Sequence, residues 1–163
     1  DTNVQDFPSS ERLVNVSKSC VRVARLFGFD PKVAFLSHST FGKPISKNTK
    51  HVRNAIALLK KEKVDFDFDG EMQPDVALNP IYQEIYPFSK IVGNANILIM
   101  PALHSAAIST KLMKVFGGGK LIGPLLIGLG LPIEVAPLRA STSEILNLAS
   151  IASYSSGIID YSN

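Results

Sequence analysis

The chain has 163 residues, 45% of them hydrophobic and 19% charged, a composition that excludes intrinsic disorder and a length that suits one domain. Its net charge of +3 comes without a basic run, since Lys60-Lys61 is its only adjacent basic pair, so no nucleic-acid partner is expected. A single cysteine, Cys20, excludes an intrachain disulfide and fits a reducing, cytoplasmic setting.

Residues 1–8 read as a flexible lead-in, polar at Asp1-Thr2-Asn3 and without a signal peptide. Ser9 and Ser10 then precede a stretch in which Leu13, Val16, Cys20, Val23 and Phe27 recur at three- and four-residue steps. That spacing predicts an amphipathic helix, stopped at Gly28, with Cys20 on its apolar stripe. Lys32 to Ser37 reads as a buried strand, followed by a polar loop from His38 to Asn48. Asn48 or Thr49 caps a second helix to about Lys61, with Val52, Ile56 and Leu59 on its inner face and His51 as a solvated residue. Val64 to Phe68 predicts a second strand, and Met72 to Leu78 a short helix. Asn96 to Met100 is the clearest central strand, and Ser105 to Phe116 a third long helix, ended by Gly117-Gly118-Gly119. Leu121 to Leu126 and Ile133 to Ala136 predict two further strands. A last helix starts at Ser141 or Thr142, with Ser141 and Glu144 at capping-box spacing; Ile145, Leu148, Ala149 and Ala152 form its inner face, and it fades at Gly157. No membrane span is expected, because the uncharged stretch Leu121 to Ile133 is short of about 20 residues and broken by Gly and Pro.

The alternation of helix and strand predicts an α/β fold, a mostly parallel sheet with helices on both faces in three layers. In such sheets ligands gather at the carboxyl ends of the strands. Three loops meet that condition: Ser37 to Lys43, Asp69 to Gln73, and Pro101 to Ser105. Their hydroxyls and Lys43 suit an anionic ligand beside free helix N–H donors; the same Ser and Thr residues also serve as ordinary turn and capping residues. Asp69 and Glu71 are the best acidic pair, fit for acid–base work or a metal, or, in the case of Asp69, for accepting backbone N–H bonds. His38 and His104 belong to loops on one predicted rim. Gly117-Gly118-Gly119-Lys120 is followed by Leu121, so it is not a P-loop. The three histidines lack zinc spacing, and no metal site is expected.

Three blocks then occur in a recognisable order. They are Val33-Ala34-Phe35-Leu36-Ser37-His38-Ser39-Thr40-Phe41-Gly42, Asp69-Gly70-Glu71-Met72-Gln73-Pro74-Asp75-Val76-Ala77-Leu78 and Gly123-Pro124-Leu125-Leu126-Ile127-Gly128-Leu129. Together they resemble the phosphotransacetylase family, the phosphate acetyl/butyryltransferases. The resemblance covers nearly all of residues 1–163 and corresponds to the second half of that module, as one compact domain. It implies the three-layer fold of those enzymes, similar to isocitrate and isopropylmalate dehydrogenases. Ile99-Met100-Pro101-Ala102-Leu103-His104-Ser105, Tyr86-Pro87-Phe88-Ser89 and Asn147-Leu148-Ala149 look like the version carried at the C-terminus of bacterial NADP-dependent malic enzymes.

Active members of the family carry a Ser-Arg pair seven residues before a catalytic Asp, counted from the Ser. Aligned on Ile145-Leu146, this chain has Pro137-Leu138 at the pair and Glu144 at the Asp, with Arg139 one position late. The resemblance therefore implies an acetyl-CoA-responsive regulatory and oligomerisation module whose transferase chemistry is lost. No catalytic residue is assigned, and Glu144 is the candidate if transfer survives. The acyl-CoA and phosphate rim would comprise Ser37, Ser39, Thr40, Lys43, Pro101, His104 and Ser105, with Arg139 toward the coenzyme's phosphates. Expected partners are acyl-CoA, a second copy of the chain, and an upstream malic-enzyme domain that holds NADP and a divalent metal. The alternative is an active phosphate acetyltransferase, moving acetyl between coenzyme A and phosphate. The low charge fraction fits surfaces made for such neighbours.

Overall fold

Three parallel strands carry the first half of the chain: β1 (Lys32–Leu36), β2 (Asp67–Met72) and β3 (Ile97–Ile99), in the order β2-β1-β3. The computed structural model describes residues 4–129 and 131–156. The chain divides into two compact units, Asp1–Ile108 and Ser109–Asn163. Of the first eight residues, 1–3 lie outside the described residues; Asp6 O accepts the Leu103 N–H at 3.0 Å, and the Phe7 ring meets His104 edge-on.

Within the first unit, strand alternation sorts β1 onto two faces. Val33 and Phe35 join Phe68, Ile97 and Ile99 under two helices, α1 (Ser10–Leu26) and α2 (Lys50–Glu62). Ala34 and Leu36 face the other way, against Met72, Val76, Ala77, Ile91 and Ala95. Short helix α3 (Pro74–Leu78) supplies Val76 and Ala77, and α4 (Pro80–Gln83) follows it. Both faces of the sheet are thus covered, and the α/β expectation holds.

α1 begins where the sequence predicts: Ser9 Oγ accepts the Arg12 N–H. It ends in a Schellman arrangement. Gly28 takes φ +79°, its N–H reaches Arg25 O at 2.9 Å, and Phe29 N–H reaches Ala24 O at 2.9 Å. Cys20 packs half-buried against the core, and burial pushes its thiol up.

β2 sits about three residues later than Val64 to Phe68. Only Asp65 and Phe66 of the Asp-Phe alternation are lead-in; the ladder starts at Asp67 and runs on through Gly70, which takes φ +143°. A Cβ there would lie 2.6 Å from Phe35 O, so the two backbones meet at a distance only glycine permits.

The second unit holds the end of α5 (Leu103–Phe116) and α6 (Thr142–Ser156). The strands expected at Leu121–Leu126 and Ile133–Ala136 are absent: those described residues are irregular. Pro124 cannot donate to a ladder, and Leu126 N–H goes to the Glu134 carboxylate at 3.2 Å instead. On α6 only Leu148 of the expected inner face is buried; Ile145 is half exposed and Ala149 exposed. Its expected stop at Gly157 lies outside the described residues.

Candidate functional site

Because all three strands run parallel, their carboxyl ends share one edge of the sheet in the first unit. The loop after β1 leaves that edge as Ser37 to Lys43. Ser37, Ser39 and Thr40 are buried there, while Lys43 is exposed. Ser37 N–H continues the ladder to Met72 O at 2.9 Å, and Thr40 Oγ1 accepts the Gln73 N–H at 3.2 Å. Thr40 and Lys43 exchange two backbone bonds of 3.0 Å, closing a tight turn. At its crest Phe41 takes φ 47°, and its ring packs on Tyr86 and Phe88. Such a conformation costs a non-glycine residue about 1–3 kcal/mol, offset here by the aromatic contacts and by the Phe41 N–H bond to Glu71 O at 2.7 Å.

The acidic pair after β2 separates in role. Asp69 Oδ1 accepts the Gly70 N–H at 2.9 Å and its Oδ2 the Lys90 N–H at 2.8 Å, which makes Asp69 a backbone acceptor. Glu71 is fully buried beneath the first loop. Its Oε1 accepts from Ser39 Oγ at 3.1 Å, Gly42 N–H at 2.9 Å and Arg53 Nη1 at 3.3 Å.

The loop after β3 carries Pro101, His104 and Ser105. Ser105 Oγ donates to Ala102 O at 2.9 Å, in the first turn of α5. Pro101 O accepts from His51 Nε2 at 2.9 Å. His51 is therefore no solvated helix residue: it is half-buried and ties α2 to this loop. His38 and His104 are both exposed; His104 meets Phe7, and His38 lends its carbonyl to Gln73 Nε2 at 2.8 Å.

In the second unit, Ser141 and Glu144 form the capping box that their spacing predicts. Glu144 Oε2 accepts from Ser141 N–H at 2.7 Å and Ser141 Oγ at 2.9 Å, and Ser141 Oγ accepts the Glu144 N–H at 3.3 Å. These bonds hold the Glu144 carboxyl below its ordinary range, with Lys114 Nζ 4.0 Å away adding to the effect. Glu144 borders a cleft of about 280 Å³ lined also by Lys114, Lys120, Ser143 and Asn147. Arg139 is exposed and outside that lining. The structure thus brings Ser37, Ser39, Thr40 and Lys43 together on one loop and Pro101, His104 and Ser105 on another. Sequence reasoning missed Arg53, His51, Lys114 and Lys120. Arg53 and His51 sit on a helix face that reads as solvated, and Lys120 gave a signal only as the residue after three glycines.

The phosphate acetyl/butaryl transferase family model matches residues 1–153. The chain belongs to that family. It is 46% identical over 157 residues to an NADP-dependent malic enzyme of Rhizobium meliloti, covering 96% of this chain and 21% of that protein. It is 35% identical over 153 residues to a phosphate acetyltransferase of Clostridium acetobutylicum, covering 93% of this chain and 46% of that one. A solved phosphotransacetylase from Streptococcus pyogenes superposes with a TM-score of 0.89 at 32% identity, covering 94% of this chain and 47% of that chain. The chain therefore spans about a fifth of the malic-enzyme relative and just under half of the phosphotransacetylases.

Proposed function

We propose that the chain is the C-terminal phosphotransacetylase-like region of an NADP-dependent, decarboxylating malic enzyme, and that it binds acetyl-CoA as a regulatory ligand without transferring the acetyl group. The observation that carries the reading is the state of Glu144. A general base needs a free carboxylate with a pKa matched to its task. Glu144 instead has its Oε2 engaged at the start of α6 and its carboxyl held low. Pro137 and Leu138 supply no guanidinium where the family has its Ser-Arg pair, so a fixed bidentate donor to phosphate or to a carbonyl oxygen is missing. A misplacement of about 1 Å at such a site costs roughly 10²-fold in rate.

In this reading the ligand rim is formed by Ser37, Ser39, Thr40, Lys43, Pro101, His104 and Ser105, with Arg139 offered to the coenzyme's phosphates. Malate, NADP and a divalent metal would be handled by residues upstream of this chain. The greater identity to the malic enzyme than to the phosphate acetyltransferase supports the assignment. The exposed Ile108, Leu112, Val115 and Phe116 of α5 support a homo-oligomer. The protein is proposed to be cytoplasmic; no described helix is long and apolar enough to cross a membrane.

The test is malate-dependent NADP reduction by the full-length protein, measured against rising acetyl-CoA. A saturable change in rate is expected; a rate indifferent to acetyl-CoA overturns the regulatory reading. The second reading, an active phosphate acetyltransferase, is favoured by the cleft that places Lys114 and Lys120 around Glu144, as a site for an anionic substrate would.

A further inference from the structure

The loop after β1 is held from beneath by a single carboxylate. Glu71 Oε1 collects Ser39 Oγ, Gly42 N–H and Arg53 Nη1, all within 3.3 Å. Arg53 then reaches the far end of the same loop, donating to Ser46 O at 3.0 Å through Nη2 and to Thr49 Oγ1 at 2.6 Å through Nη1. One ion pair therefore grips the loop at Ser39, Gly42 and Ser46. Two residues before Arg53, His51 holds the loop after β3 at Pro101 O. The first turns of α2 thus reach both loops at the carboxyl edge of the sheet.

The arrangement is not the one that stability alone favours. Glu71 is 0% exposed, and its Oε2 is buried with no hydrogen-bond partner among the described residues. A buried carboxylate with an orphaned oxygen is costly, and an apolar side chain of similar volume commonly does as well or better for stability. What Glu71 and Arg53 provide is geometry: a planar guanidinium and a carboxylate fix several groups at once.

We propose that Glu71 and Arg53 are positioning residues that set the Ser37 to Lys43 loop for an acyl-CoA ligand, with His51 setting the Pro101 to Ser105 loop from the same helix. The ligand half of this inference rests on the acetyl-CoA reading above. None of the three need touch the ligand.

The test uses the full-length protein with Glu71→Gln, Arg53→Met and Arg53→Lys. Hydrogen exchange is followed by mass spectrometry on residues 39–48 and on α1, and acetyl-CoA binding by calorimetry. Glu71→Gln and Arg53→Met are expected to speed exchange in residues 39–48 about tenfold while α1 stays as in the parent. They are expected to weaken acetyl-CoA about tenfold, with Arg53→Lys in between because it keeps the charge and loses the fork. Unchanged exchange in residues 39–48 in both variants overturns the clamp. A loosened loop with unchanged affinity overturns the positioning role. If the parent protein itself takes up no acetyl-CoA, the ligand half falls, and the exchange result alone decides the clamp.

Discussion

Glu144 is tied into the first turn of α6. Its carboxylate is an acceptor for Ser141 N–H and Oγ, so protonating it breaks the capping box. The folded state lowers its pKa relative to the unfolded chain. Its contribution is therefore complete above the ordinary carboxylate range and is lost as pH falls through the lower folded value. Ser141→Ala removes the other half of the box and is expected to cost about 1 kcal/mol in urea denaturation; no change would mean that α6 starts without it. Cys20 gives a second check. Burial raises its pKa, so thiolate is scarce in the folded protein. Alkylation by iodoacetamide at pH 8 is expected to be much slower in the native state than in urea, and equal rates would place Cys20 at the surface.

At the scale of elements, the sheet edge depends on the close pass of β2 by β1. Gly70→Ala puts a methyl group 2.6 Å from Phe35 O in a conformation that L-residues rarely adopt. Overpacking of this kind costs roughly 1–3 kcal/mol, and the register break between Phe35 and Leu36 lies at the same point. A thermal midpoint equal to the parent's would contradict it. The sequence made the long helices α1, α2, α5 and α6 legible by their length and caps and β1 by its apolar run, whereas the four-residue α4 left no period to read. α1, with Ser9 and Gly28 as its punctuation, falls within a residue of its expected limits. β2 was displaced because Asp67 and Asp69 look like a solvated face; Asp69 is in fact buried, bonded to Gly70 and Lys90. Leu121–Leu126 and Ile133–Ala136 have strand-like composition, yet Pro124 interrupts the first and the Glu134 side chain of the second takes the Leu126 N–H. The loops of the rim were legible from strand ends. Their anchors were not, because Arg53 and Glu71 are 18 positions apart and His51 and Pro101 are 50 apart.

For the whole molecule, belonging to a transferase family and being most like malic enzymes among the relatives named above pull toward different activities. The proposed reading, binding without turnover, rests on the capping role of Glu144 and on Pro137-Leu138 standing where the resemblance places the Ser-Arg pair. The most direct measurement is acetyl transfer from acetyl phosphate to coenzyme A by the full-length protein, followed by thioester absorbance. The account predicts no thioester above the uncatalysed rate, while calorimetry on the same sample shows acetyl-CoA bound. Clear turnover that Glu144→Ala abolishes would contradict it.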